Sequence, residues 1–217
     1  MEKPDRPGGQ PVRLFKSDFL EFFTHVHPAA VLAVWIPVVV LFLFLAIKNL
    51  GPGRIGEIAP CILGGLFLWT LVEYGLHRFV FHHKPKTPYG ERISFLFHGV
   101  HHAQPLVKTR LVMPPAVSVS LGTGLFALYA LAGIGLWGSP GWTYAVFAGS
   151  VLGYLCYDML HYSTHHFRLR SPILRYLRRY HMHHHVQTPN LRFGVTSPLW
   201  DAVFGTMPRG RETRTSK

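Results

Sequence analysis

The sequence predicts an all-α membrane protein with four spans and a histidine-rich cytoplasmic side. Three observations predict it. Hydrophobic residues make up 48% of the 217 residues and charged ones only 15%, against roughly 25% charged in an ordinary soluble domain. The apolar residues gather into runs long enough to cross a bilayer. Fifteen residues are His, and they cluster at the ends of those runs. Low charge with high apolarity excludes a disordered chain. A formal charge of +12 does not indicate a nucleic-acid binder, because the basic residues accompany apolar runs and not a polar, soluble body. The length suits one domain, 1–217.

Residues 1–27 carry acids, bases and prolines with no apolar stretch before Pro28, so they read as a cytoplasmic N-terminus without a cleavable signal. The first span, near 28–48, then acts as an uncleaved anchor; Pro37 sits inside it and predicts a kink. Gly51-Pro52-Gly53 ends it. The second span, near 58–79, is interrupted only by Glu73. Between Arg110 and Asp158 lie 47 residues without a charge, about 70 Å of helix at 1.5 Å per residue. That is two crossings, near 112–137 and 142–162. They turn at Gly138-Ser139-Pro140-Gly141, flanked by Trp137 and Trp142, whose amphipathic rings suit the interface. The rest, 80–110 and 163–217, forms a His-rich cytoplasmic part. Gly149-xxx-Gly153 reads as close helix packing. Cys61 and Cys156 fall near opposite membrane faces, too far apart for a disulfide.

Charge orients the spans. Four Lys and Arg lie in residues 1–27, six in 77–115 and ten in 161–217, against Lys48 and Arg54 alone on the other side. The positive-inside rule makes the basic side cytoplasmic, with both termini there.

Ten of the His form four groups: His77-xxxx-His82, His98-xx-His101-His102, His161-xxx-His165 and His181-xx-His184-His185. Spacings of three and four place side chains on one helical face, so the last three groups each converge. The five-residue gap from His77 to His82 requires either a helix end or a π-bulge. Ser171-Pro172 reads as an N-cap followed by Pro at the first helical position. In the helix that follows, Leu174, Leu177, His181, His184 and His185 share a side. A lone His is more often a hydrogen-bonded core residue than a ligand, but packing alone has no use for ten clustered imidazoles. Neutral imidazole binds iron, copper, zinc or nickel. Ten ligands exceed one ion and divide naturally as about five each over two. His25, His27, His83, His166 and His183 are left outside this set. Glu73, four residues before His77, and Asp158, three before His161, are costly in apolar spans unless partnered. Each is expected to accept a hydrogen bond from the free ring nitrogen of its neighbouring ligand.

The stretches His77-Arg-Phe-Val-Phe-His82, His98-Gly-Val-His101-His102, Tyr157-Asp-Met-Leu-His161-Tyr-Ser-Thr-His165-His166 and Tyr180-His-Met-His-His-His185 resemble the integral-membrane fatty acid hydroxylase and sterol desaturase superfamily. Arg110-Leu-Val-Met-Pro-Pro115 and the segment from Phe193-Gly-Val-Thr-Ser-Pro to Thr206 resemble its fatty acid 2-hydroxylases, which act on sphingolipid acyl chains. The resemblance implies a four-helix transmembrane bundle with a cytoplasmic helical cap holding a dimetal site. It carries the ligand role to His77, His82, His98, His101, His102, His161, His165, His181, His184 and His185. It also implies two iron ions, replaceable by zinc in purified protein, with dioxygen as co-substrate and a membrane lipid or fatty acyl substrate. Eukaryotic relatives often begin with a cytochrome b5 domain. Here only 27 residues precede the first span, so a separate donor, cytochrome b5-like or ferredoxin-like, is expected, in a bacterial inner membrane or, for a eukaryote, the endoplasmic reticulum. The His boxes alone leave open a desaturase or a sterol or carotenoid hydroxylase. A non-enzymatic haem carrier would instead place single His residues facing each other within the spans.

Overall fold

A computed structural model of the chain describes residues 11–208, apart from the side chains at 134, 136 and 137, and its regular structure there is entirely helical. In chain order the helices are α1 (Asp18–Phe22), α2 (Pro28–Leu50), α3 (Ile58–Gly75), α4 (Pro88–Ser94), α5 (Val100–Ala103), α6 (Pro115–Trp137), α7 (Pro140–His166), α8 (Pro172–Val186) and α9 (Leu199–Val203). A 3₁₀ turn, Pro52–Glu57, leads into α3. π-helical turns extend α3 over Leu76–Phe81 and join α4 to α5 over Phe95–Gly99. The residues fall into two compact units, one of 26–69 and 112–158, the other of 11–25, 70–111 and 159–208.

The first unit holds α2, most of α3, α6 and most of α7. Pro28 occupies the first turn of α2, and the His27 ring accepts from the Ala29 amide as its cap. The helix runs on through Pro37 to a Gly51 cap with φ of 75°. A β-carbon added at Gly65 would stand 2.1 Å from the Val146 carbonyl oxygen, and one at Gly149 2.3 Å from that of Ile62. Helices α3 and α7 therefore meet backbone to backbone, and Ser150 donates to the Gly65 carbonyl at 2.9 Å. The Gly149-xxx-Gly153 pattern is thus packing within the chain. Tyr154 lies edge-on between Trp35 and Trp69, at 5.6 and 5.4 Å between ring centres. Trp142 donates to Glu57, which also takes both bonds of Arg54, while the Arg54 guanidinium stands 4.8 Å over the Trp142 ring. The Trp137 side chain, expected at the same turn, lies outside the described residues.

Among the described residues, three helices are long and apolar enough to cross a membrane: Pro28–Leu50, Pro52–Phe81 and Pro115–Gly133. The fourth expected span is a single helix, α7, but its composition does not mark it as one. Thr143, Tyr144, Ser150, Tyr154 and Tyr157 dilute its apolarity, and Ala145, Phe147, Ala148, Ser150 and Val151 are buried. A helix enclosed by other helices favours small and hydrogen-bonding residues over the large aliphatic ones that face lipid.

The second unit holds α1, the end of α3, the α4–α5 segment, the end of α7, α8 and α9. Thr87 caps α4 by accepting from Gly90 at 3.1 Å. Pro172 opens α8, but Ser171 makes no side-chain bond to the helix, so the expected cap is positional only. Leu177, Tyr180, His181 and His184 form the buried face of α8.

Candidate metal centre

The π-helical turns bring the first histidines into register. The His82 amide bonds to the His77 carbonyl at 3.1 Å, closing an i→i+5 ring that returns both side chains to one place despite their five-residue spacing. A second π turn, closed by Val100 on Phe95, lies across His98 just before His101 and His102; nothing in the spacing of those residues announces it.

All ten histidines of the four groups come together, in two sets of five. His77, His82, His98, His102 and His184 form one; His101, His161, His165, His181 and His185 form the other. Within each set, the potential ligand atoms lie within 4.8 Å of one another. The expectation that each sequence group converges needs correction. His101 parts from His98 and His102, and His184 from His181 and His185. Successive residues on a helix point about 100° apart, so adjacent His-His pairs serve different sets, and α5 and α8 each contribute to both.

The Nε2 atoms face inward. His98 stands 3.1 Å from His77 and 3.0 Å from His102, and His82 is 3.0 Å from His184. In the other set, His101 is 3.1 Å from both His161 and His185, while His181 is 2.9 Å from His165 and 3.0 Å from His185. One ring nitrogen offers either one proton or one lone pair, so a run of such contacts cannot consist of hydrogen bonds throughout. Two nitrogens bound at about 2.1 Å to one ion, at right angles, stand about 3.0 Å apart. Each set therefore has the donor chemistry and spacing of a site for one divalent transition metal. Burial, and then the neighbouring imidazoles, hold His98 and His101 well below the usual histidine range. The same causes lower His102 to about 2; burial, with His184 and Lys84 nearby, lowers His82 to about 3. His184 is lowered by burial to about 4. At neutral pH these rings are uncharged and can offer lone pairs.

The loop from Leu191 to Thr206 orients two of the rings. Nδ1 of His77 donates to the Phe193 carbonyl at 2.5 Å and Nδ1 of His184 to the Leu191 carbonyl at 2.7 Å. Glu73 acts one layer further out than expected. Glu73 accepts not from His77 but from the Val195 amide at 2.6 Å and from the amide and hydroxyl of Thr196 at 2.9 and 2.6 Å. The backbone carbonyl, brought in by the loop, takes the place predicted for the acid. Asp158, expected to support His161, accepts from the Met113 amide and the Tyr154 hydroxyl, both at 3.4 Å. Sequence reasoning missed Asp201. It is wholly buried and accepts from the Phe193 and Gly194 amides, each at 2.8 Å, and from the Thr206 hydroxyl at 2.7 Å. The available signal was an acid isolated in a segment whose other charges, from Arg168 to Arg192, are all basic. A β-carbon at Gly194 would stand 2.0 Å from the Ser197 carbonyl oxygen, so only Gly fits that turn.

The other histidines stay outside both sets. His25 bonds to Thr109 at 2.7 Å and Arg110 at 2.9 Å, and His27 caps α2. The His166 ring packs on Tyr162, and His83 is exposed.

A family model described as "Fatty acid hydroxylase" matches residues 62–206. The dihydroceramide fatty acyl 2-hydroxylase of Arabidopsis thaliana is 40% identical over 93% of this chain and 82% of its own length. The ceramide very long chain fatty acid hydroxylase of Saccharomyces cerevisiae is 41% identical over 95% of this chain, which spans only 52% of that protein. The solved structure of scs7p, in which only the hydroxylase domain is visible, aligns with a TM-score of 0.80 at 41% identity, covering 88% of this chain and 70% of that one.

Proposed function

The chain belongs to the fatty acid hydroxylase family, and from that premise we propose that it is a membrane-bound di-iron oxygenase that hydroxylates a lipid acyl chain at the carbon next to the carbonyl. The observation that carries the reading is the sustained likeness, over nearly the whole chain, to proteins named as fatty acyl 2-hydroxylases. The two five-histidine sets suit it chemically. Two bound ferrous ions would supply the reaction with dioxygen that turns an unactivated C–H bond into C–OH.

The chain's own residues supply the rest. The ten histidines hold the ions as neutral ligands, and the 191–206 loop fixes the rings of His77 and His184. Burial of His77, His98, His101, His181 and His184 keeps water from the rings. Arg175, Arg178 and Arg179, with Pro172, line a cavity of about 350 Å³ at the start of α8. With no acid between Asp158 and Asp201, this basic side of α8 suits the phosphates and polar heads of interfacial lipid. Oxidation of one C–H bond by dioxygen, with release of water, consumes two electrons and two protons. A separate donor protein, cytochrome b5-like or ferredoxin-like, supplies the electrons in this reading. Helix α7 makes the fourth crossing: its 27 residues span about 40 Å at 1.5 Å each. Both termini then face the cytoplasm.

Expression in a host that lacks 2-hydroxy lipids, together with an electron donor, tests the assignment. Mass spectrometry should find acyl chains one oxygen heavier, with fragmentation placing the oxygen beside the carbonyl. Products lacking two hydrogens, or oxidised on the headgroup, would overturn the 2-hydroxylase reading.

A further inference from the structure

The two histidine sets are held differently. In the set containing His77 and His184, two rings donate Nδ1–H to backbone carbonyls of one short segment, Phe193 and Leu191. In the other set the Nδ1 atoms of His101, His165, His181 and His185 are buried without a protein partner. Between the two accepting carbonyls lies Arg192, whose φ of 62° puts it in the left-handed region, alone among the described non-glycine residues. That conformation turns the chain between these two carbonyls, so that both reach rings of the same set. A non-glycine residue keeps it only where its surroundings impose it. Here the Arg192 amide bonds to the Thr206 carbonyl at 3.1 Å, its guanidinium donates to the Thr188 hydroxyl, and it stands 5.8 Å from the centre of the Tyr180 ring. Glu73 and Asp201 pin the segment just beyond.

We infer that the left-handed turn at Arg192 makes the two metal positions unequal: the set of His77, His82, His98, His102 and His184 retains its ion, while the set of His101, His161, His165, His181 and His185 exchanges. Arg192 is a positioning residue, acting through the carbonyls on either side of it. The inference rests on the dimetal reading above. Its physical basis is that an acceptor on the far nitrogen fixes a ligand's tautomer and orientation and raises its basicity, and loss of such an acceptor typically costs 10–100-fold in metal affinity. An ion held by pre-oriented rings leaves more slowly than one bound by rings such as those of His101, His165, His181 and His185, whose Nδ1 atoms have no protein acceptor.

The test uses the full chain loaded with Co²⁺ and challenged with a chelator, with release followed by absorption and by metal analysis. The wild type should release one ion fast and one slowly. Arg192→Val and Arg192→Gly lose the same side-chain contacts but differ in backbone freedom: valine resists the left-handed region, and glycine enters it freely. Arg192→Val should speed the slow phase alone by about 10–100-fold, and Arg192→Gly should keep most of the slow release. Circular dichroism of the same samples checks folding. Simultaneous release of both ions from the wild type, or equal acceleration in the two variants, would overturn the inference. Neither readout needs turnover. Unequal release without a 2-hydroxy product would sink the proposed activity alone, and equal release from an active enzyme would sink this inference alone. A chain that takes up no metal would sink both.

Discussion

Asp201 shows how much one side chain can hold. Its two oxygens take two backbone amides and a hydroxyl, all in the buried loop that meets His77 and His184. Asp201→Ala strands those donors, and each buried unsatisfied group costs about 1–3 kcal/mol. With three donors stranded we expect a loss of at least about 3 kcal/mol in unfolding free energy, measured by denaturant titration in detergent, with Asp201→Asn intermediate because it keeps one acceptor oxygen. A loss below about 1 kcal/mol for the alanine variant would contradict the role given to the carboxylate. The identities of the histidines were legible in the sequence because imidazoles repeated at helical spacings have little other use. The role of Asp201 was not, since its partners are main-chain groups that converge only when residues 191–206 fold back on themselves. The same holds for Glu73: an acid near His77 in sequence suggested a direct bond, yet its acceptor capacity goes to Val195 and Thr196, more than a hundred positions away.

Helices meet through their smallest residues here. Gly64 and Gly65 are neighbours in α3 with opposite surroundings. Nothing lies within 4 Å of a β-carbon at Gly64, whereas one at Gly65 would meet the Val146 carbonyl and the Ser150 amide. Gly64→Ala should raise stability by about 0.5–1 kcal/mol through helix propensity. Gly65→Ala should lower it, by about 1–3 kcal/mol, as α3 and α7 are forced apart. Thermal unfolding of the two variants side by side measures the contrast, and similar melting temperatures would refute the close approach. The π turns belong to this scale too. The spacing of His77 and His82 admitted one as an alternative to a helix end, and the structure contains it. The π turn over Phe95–Gly99 had no such mark, because the three-residue step from His98 to His101 fits an ordinary helix.

Charge acts across the whole chain. The contrast between twenty basic residues in 1–27, 77–115 and 161–217 and the pair Lys48 and Arg54 predicts where a reporter works. Fused after residue 217, a reporter active only in the cytoplasm should function. Inserted at the Gly138–Gly141 turn, it should be silent there, and a reporter active on the far side should work instead. A C-terminus on the far side would mean three crossings and would remove α7 from the spans. That alternative has a physical source: α7 is long enough to cross, but its buried small and polar residues leave it less apolar than α2, α3 and α6.

By itself the sequence determined the helical class, three of the four expected spans as strongly apolar helices, the ten histidines that gather, and the family, because each is written in local spacing, composition or motif. Only the tertiary structure decided how the ten divide, five and five, and which groups orient them. Side-chain direction on a helix separates neighbours such as His101 and His102, and carbonyls reach His77 and His184 only through a left-handed turn at Arg192. A spacing rule describes one helix at a time. The two histidine sets are built from four segments and oriented by a loop, and their partition depends on directions that exist only once those pieces are packed.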